Sequence, residues 1–241
     1  MPTRCFENKS TATMRMFCLP YAGGSAEFYL SWKNLIPNWI DLCPIQFAGR
    51  SYRLNEVSAK TFYDLVDELL PIISRYDDKE IILYGHSMGS VLAYEIAVRM
   101  KKHPILLCLT SGEAPDKWKG RDFFTYFSDN EMLDWMVSNY GYSSVDSGEI
   151  KNYLLPFVRP LRNDLLICES YETTGLTYQH PTIIAAAKDD LLCKSNIKLW
   201  NEYCPDSEII YFENGGHFFN RIYTKELISF IVKKIEQAGY K

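Results

Sequence analysis

Apolar residues recur along this chain in two rhythms that take turns: short dense runs, and three-and-four spacings. The runs are Met14–Leu19 (MRMFCL), Asp41–Phe47 (DLCPIQF), Ile81–Tyr84 (IILY), Pro104–Thr110 (PILLCLT), Thr182–Ala187 (TIIAAA) and Glu208–Phe212 (EIIYF). Runs of this length and density suit strands buried on both faces of a parallel sheet. Between them lie three groups at helical spacing: Phe28, Trp32 and Leu35; Phe62, Leu65, Val66, Leu69 and Ile73; and Val91, Tyr94, Ala97 and Val98. Thr61 and Asp64 give the second group a cap and a first-turn acid, and Pro37 ends the first. Further helices are expected over 195–203 and 224–237. Pro44 has no N–H to give a ladder, so its strand is expected at a sheet edge. Strands alternating with helices predict an α/β fold with a doubly wound, mostly parallel central sheet flanked by helices.

The alternation stops between Ala114 and Pro181, where no convincing strand pattern occurs. Ser128 with Glu131 forms a capping box ahead of Met132, Trp135 and Met136, and Asp146 with Glu149 resembles one ahead of Ile150, Tyr153 and Leu154. A third helix is expected over 160–171. The interval 115–172 therefore predicts a helical lid inserted late in the chain. At 241 residues and 47% hydrophobic content the chain suits one large core, so 1–241 is expected to be a single domain carrying that insertion. Residues 1–13 are polar, predicting a flexible start without the apolar stretch of a signal peptide, and no later run is long enough to cross a bilayer.

Charge and composition narrow the function classes. A formal net charge of -4 without a long basic run gives no general attraction to a phosphate backbone, which argues against nucleic acid. The seven cysteines are an odd number without a CxxC pair, and several sit inside apolar runs, a pattern that predicts a reduced, cytoplasmic protein. The four histidines are scattered and none pairs with a cysteine at ligand spacing, so no metal is expected and nothing calls for a cofactor.

The chemistry concentrates around one strand end. After Ile81–Tyr84 come Gly85, His86, Ser87, Met88 and Gly89, which spell GxSxG, and the helical spacing of Val91 to Val98 follows at once. A strand-to-helix turn through a serine between small residues is the setting of a nucleophile elbow: glycines let the two backbones approach, and the strained turn exposes the hydroxyl. A serine needs a base and an orienting acid. Carboxyl ends of parallel strands share one rim of the sheet, and two of them carry Lys188-Asp189-Asp190 and Asn214-Gly215-Gly216-His217. His217 is the candidate base. Asp189 and Asp190 compete as the acid, and Asp190 is preferred because it lies three positions after Ala187, with the other expected to be a solvated loop carboxylate. The order Ser, Asp, His is that of the α/β-hydrolase fold. His86 is read as a structural neighbour of the elbow, and Asp164 and Glu113 fall outside the triad. Oxyanion donors are expected from the N–H of Met88, after the serine, and from that of Ala22 in the glycine-rich turn Tyr21–Ser25.

Together, LPYAGG at Leu19–Gly24, GHSMG at Gly85–Gly89, LRND at Leu161–Asp164, the paired aspartates, and GGHFF at Gly215–Phe219 resemble the type II thioesterases, stand-alone α/β-hydrolases that accompany nonribosomal peptide and polyketide synthases. The resemblance runs from about Met14 to the C-terminus. It implies hydrolysis of acyl groups from the phosphopantetheine thiol of acyl or peptidyl carrier domains, with Ser87, Asp190 and His217 as the triad and Ala22 and Met88 as oxyanion donors. Ala48 replaces the proline that usually precedes the family's GR, and Ala187 and Lys188 stand where glycines often precede the aspartates.

The same motifs fit a chain-terminating acyl-carrier thioesterase of fatty acid synthesis, a small-molecule carboxylesterase, or a hydrolase-like binding protein without turnover. A monomer acting on carriers is expected, and Lys117, Lys119 and Arg121 around Trp118, where the lid begins, are candidates for guiding an acidic carrier to the site.

Overall fold

In a computed structural model that describes residues 11–139, 147–193 and 196–240, six strands form one parallel sheet. They are β1 (Met14–Leu19), β2 (Ile40–Pro44), β3 (Glu80–His86), β4 (Leu106–Thr110), β5 (Thr182–Ala187) and β6 (Ser207–Phe212), in the spatial order β2-β1-β3-β4-β5-β6. β2 is an edge strand, and Pro44 pairs with Cys18 at its end, where a missing donor costs least. Every residue of β1, β2, β4 and β5 is buried, whereas β6, at the other edge, is mostly half-exposed. The dense apolar runs thus follow from burial on two faces.

The period-two alternation of each strand sorts its side chains into two cores. Phe17, Leu83, Leu109 and Ile184 face one core with α1 (Phe62–Ser74) and α2 (Met88–Ala97). Met16, Tyr84, Cys108 and Ile183 face the other, closed by segment 26–36 and, at the C-terminus, Leu227, Ile228, Ile231 and Ile235. Thr61 accepts from Asp64 N and the Asp64 carboxylate accepts from Thr61 N, so α1 starts with a complete capping box.

Three expectations change in detail. Segment 26–32 is a 3-10 rather than an α-helix. Ala26, Tyr29 and Trp32 stand three apart and are the buried positions, and a repeat of three residues per turn stacks them on one face, with Tyr29 and Trp32 against the Tyr84 ring at 5.8 and 4.9 Å. Residues 197–202 are likewise 3-10, and the expected start at Ser195 lies outside the described residues. Between β4 and β5, α3 (Asp129–Asn139) begins at the Ser128–Glu131 box, but the two helices expected after it are one, α4 (Ser147–Glu169), running through Pro156 and Pro160. A buried stripe of Ile150, Leu154, Val158, Leu161, Leu165 and Cys168 spans both prolines, so packing outweighs the lost hydrogen bonds. Asp146, the expected cap, lies outside the described residues. α5 (Phe219–Ile222) and α6 (Thr224–Gln237) end the chain.

Cys18, Cys108, Cys168, Cys193 and Cys204 are buried free thiols, whereas Cys43 is disulfide-bonded, which departs from the expectation of a fully reduced chain. Among the described residues no helix is long and apolar enough to cross a membrane.

Candidate active site

The turn between β3 and α2 is held by backbone contacts that admit only small residues. Ser87 has φ 56° and ψ -120°, a strained conformation for a residue with a side chain. A Cβ on Gly85 would lie 2.0 Å from the Gly89 carbonyl oxygen, and one on Gly89 would lie 2.2 Å from that of Leu19. Both glycines of GxSxG are therefore required by close approach. Ser87 N donates to Thr110 O at 2.8 Å, and the Ser90 hydroxyl accepts from Thr110 N at 3.1 Å, so β4 braces the turn from the side.

His217 is presented by the turn after β6. Gly215 and Gly216 have φ of 112° and 57°, and the 3-10 turn Gly216–Phe218 follows. His217 Nδ1 lies 3.0 Å from each carboxylate oxygen of Asp190, and both side chains are buried. Asp190 Oδ1 also accepts from Leu192 N and Cys193 N, each at 3.0 Å. Burial alone would raise the Asp190 pKa, but the hydrogen bond and charge of His217 outweigh it and hold the carboxyl down at about 2. An ionised carboxylate only accepts, so in the neutral ring the proton belongs on Nδ1 and Nε2 is left as a base.

Asp189 has a different duty from the one expected of it. It is exposed, yet it accepts from Gly215 N at 3.2 Å and Gly216 N at 2.8 Å, tying the β5 loop to the turn that carries His217. His86 is fully buried, with its ring centroid 5.3 Å from that of His217 and Nδ1 2.9 Å from Thr110 Oγ1. Burial first, and the neighbouring His217 second, push its pKa well below the ordinary histidine value, so it stays neutral. It sits inside the aromatic setting of the elbow, between Tyr21, Phe28 and Phe218.

Ala22, Ser87, Met88 and His217 line one small cavity of about 80 Å³. Met88 is the first residue of α2, so its N–H has no partner within the helix and lies at the positive end of the helix dipole. The rest of the lining is largely apolar and comes from the segment between β4 and β5: Trp118, Phe123, Phe124, Trp135 of α3, and Leu165 and Cys168 of α4. Arg121 does not join Lys117 and Lys119 at the surface. It lines the cavity, pairs with Glu113 and donates to Leu192 O at 2.7 Å, while Lys117 and Lys119 are exposed and Lys117 pairs with Asp116 at 2.9 Å. Glu113 thus enters the site as the partner of a half-buried arginine, a role that spacing along the chain could not reveal. Among the described residues no three His, Cys, Asp or Glu side chains gather as metal ligands.

The model of the thioesterase domain family matches residues 14–235. This chain belongs to that family. It is an enzyme that hydrolyses thioesters. It is 27% identical over 94% of its length to the gramicidin S biosynthesis protein GrsT of Aneurinibacillus migulanus, covering 90% of that protein. It is also 23% identical, over 98% of its length and 92% of the relative's, to the human medium-chain S-acyl fatty acid synthase thioesterase. The type II thioesterase BorB, from the borrelidin biosynthetic cluster, superimposes with a TM-score of 0.87 over 97% of each chain at 23% identity, so the whole α/β-hydrolase architecture is shared.

Proposed function

We propose that this thioesterase is a stand-alone type II enzyme that removes acyl groups from the phosphopantetheine thiol of carrier domains in nonribosomal peptide or polyketide assembly. The observation that carries the reading is the Asp190–His217 pair, whose histidine lines the Ser87 cavity, in a chain whose family is that of thioesterases. GrsT, named for gramicidin S biosynthesis, supports the pathway class.

In this reading Ser87 Oγ attacks the thioester carbonyl carbon while His217 Nε2 takes its proton. Asp190 holds the ring through Nδ1 and supports the imidazolium charge. The carbonyl oxygen becomes an oxyanion that accepts from the N–H groups of Ala22 and Met88. The C–S bond then breaks, the thiol leaves with the proton from His217, and the acyl group remains as an ester on Ser87. Water, deprotonated by His217, attacks that ester. Collapse releases the acid and returns the proton to Ser87. Deacylating carrier-bound acyl groups needs no other reactant.

A second reading, chain termination in fatty acid synthesis, draws on the human relative. The small cavity of about 80 Å³ favours short acyl groups over long ones. With Arg121 turned inward, Lys117 and Lys119 are the cations left to meet an acidic carrier, and charges at such a rim act chiefly on encounter rate. The test is intact-protein mass spectrometry of carriers loaded with acyl groups of graded length. The proposal expects short acyl-carriers to return to the free-thiol mass fastest, and a steep preference for long chains would transfer the enzyme to the second reading.

A further inference from the structure

Ala22 sits in a tight turn that is fastened from outside by α4. Gly24 N donates to Tyr21 O at 2.8 Å, which closes a four-residue turn with Ala22 and Gly23 at its centre. Gly23 has φ 76°, the conformation that the third position of a type II turn requires. Its N–H, on the central peptide of the turn, donates to Asp164 Oδ2 at 2.7 Å. Asp164 is 1% exposed, and Arg50 holds it with two parallel hydrogen bonds, Nη1 to Oδ2 at 2.6 Å and Nη2 to Oδ1 at 2.5 Å. Arg50 Nη1 also donates to Gly24 O at 3.0 Å, so the ion pair grips the turn on both sides of Gly23. One turn earlier on α4, Leu161 packs so closely on Gly23 that an added Cβ would lie 3.1 Å from its own.

We propose that Asp164, clamped by Arg50, is a positioning residue for the oxyanion site, so that α4 is both a wall of the acyl cavity and the support of one oxyanion donor. This rests on the reading of Ala22 as that donor. Types I and II of a β-turn differ by a flip of the central peptide, and accepting the Gly23 N–H fixes one orientation. The Ala22 N–H lies on the neighbouring Tyr21–Ala22 peptide, so with Asp164 gone the turn loses its tether next to that donor and the Ala22 N–H loses its fixed aim. A displaced α4 carries Asp164 away with it, so the site is complete only when that helix is seated.

The pair is buried, and removing one partner alone strands a charge, so two variants are needed. Asp164→Asn keeps the shape. Arg50→Met/Asp164→Leu removes both charges and the tether together, a replacement that usually keeps or improves stability. On a short acyl-pantetheine thioester each folded variant should lose about a hundredfold in kcat with KM changed by less than about threefold, the signature of an interaction made in the transition state. Affinity for a trifluoromethyl ketone analogue, whose serine adduct bears the oxyanion, should fall in parallel, whereas a non-hydrolysable amide analogue should bind as before. A purely structural role would not split the two ligands. Folded double variant with kcat within about threefold of the parent, or with equal losses for both analogues, overturns the proposal. Ser87→Ala, measured alongside, separates the layers: if it keeps turnover the site reading itself fails, and if it is inactive while both Asp164 variants turn over normally only the positioning role fails.

Discussion

The two walls of the cavity are built under different constraints. The wall that bears Ser87 is the rim of the sheet, where Gly85, Gly89 and the strained Ser87 leave no space for a single added carbon. The facing wall is made by side chains of the segment between β4 and β5, and that segment exposes Tyr126, Tyr153, Leu155, Phe157 and Leu166 on its outer side. Backbone geometry fixes one side of the cavity, and side-chain bulk shapes the other. Substitutions on the first wall should therefore remove turnover, and those on the second should redistribute it among substrates.

The largest effect is expected at Ser87. Ser87→Ala should lower kcat on the order of a thousandfold or more without lowering Tm, because alanine fits a strained turn as well as serine does. His217→Ala should match it, and single-turnover assays with circular dichroism melting check both. Gly89→Ala breaks the same wall by a different route: a Cβ 2.2 Å from Leu19 O forces β1 and α2 apart, and a loss of about 3 kcal/mol or more in urea unfolding is expected.

Next come the paired carboxylates. Asp190→Asn replaces one acceptor oxygen with an NH2 donor and removes the charge, so it no longer fixes the His217 tautomer, whereas Asp189→Asn loosens only the turn before it. Asp190→Asn should therefore cost at least about tenfold more in kcat. The reverse order would show that Asp189 is the catalytic acid.

How much of this was legible beforehand depended on whether neighbours along the chain or across it set the answer. The strands β1 and β5 and the helix α6 could be bounded from sequence because double-sided burial and amphipathic spacing are local patterns. The edge position of β2 followed from one proline. Segment 26–32 departs from the expected α-helix because Ala26, Tyr29 and Trp32 satisfy a three-residue repeat that helical spacing hides. α4 reads as two helices in sequence because Pro156 and Pro160 are local breakers, while the stripe that keeps it whole exists only against the core. At the site, Ser87, Asp190 and His217 stand at strand ends that sequence makes visible, and the structure sets Asp190 against His217 and His217 in the cavity of Ser87. The grip of Asp189 on Gly215 and Gly216, the inward turn of Arg121 onto Glu113 and the clamp of Arg50 on Asp164 are not visible there, since each joins residues far apart in sequence.

Two smaller effects sharpen the contrast. His86 is buried neutral with its pKa pushed down, so its stabilising contribution is full above the ordinary histidine value of 6.5 and is lost as pH falls below it. Stability should decline between pH 6.5 and 5 by up to roughly 1 kcal/mol per pH unit, and His86→Asn should flatten that slope in urea titrations at each pH. Asp190 acts lower down: its carboxyl, held at about 2, contributes fully above the ordinary aspartate value of 3.8 and is lost as pH falls from there towards 2. On the facing wall, Trp135→Ala enlarges the acyl space and should move the preferred acyl length upward while changing kcat on the best substrate by less than about tenfold. A loss equal to that of Ser87→Ala would erase the distinction between the walls.

The central claim, covalent thioester hydrolysis through Ser87, is tested most directly by rapid-quench mass spectrometry of the enzyme mixed with a short acyl-carrier. The account predicts a transient mass increase equal to the acyl group, mapped by peptide digestion to the segment containing Ser87, as the carrier returns to its free-thiol mass. Deacylation of the carrier by Ser87→Ala at the rate of the parent enzyme, with no adduct on either protein, would contradict it.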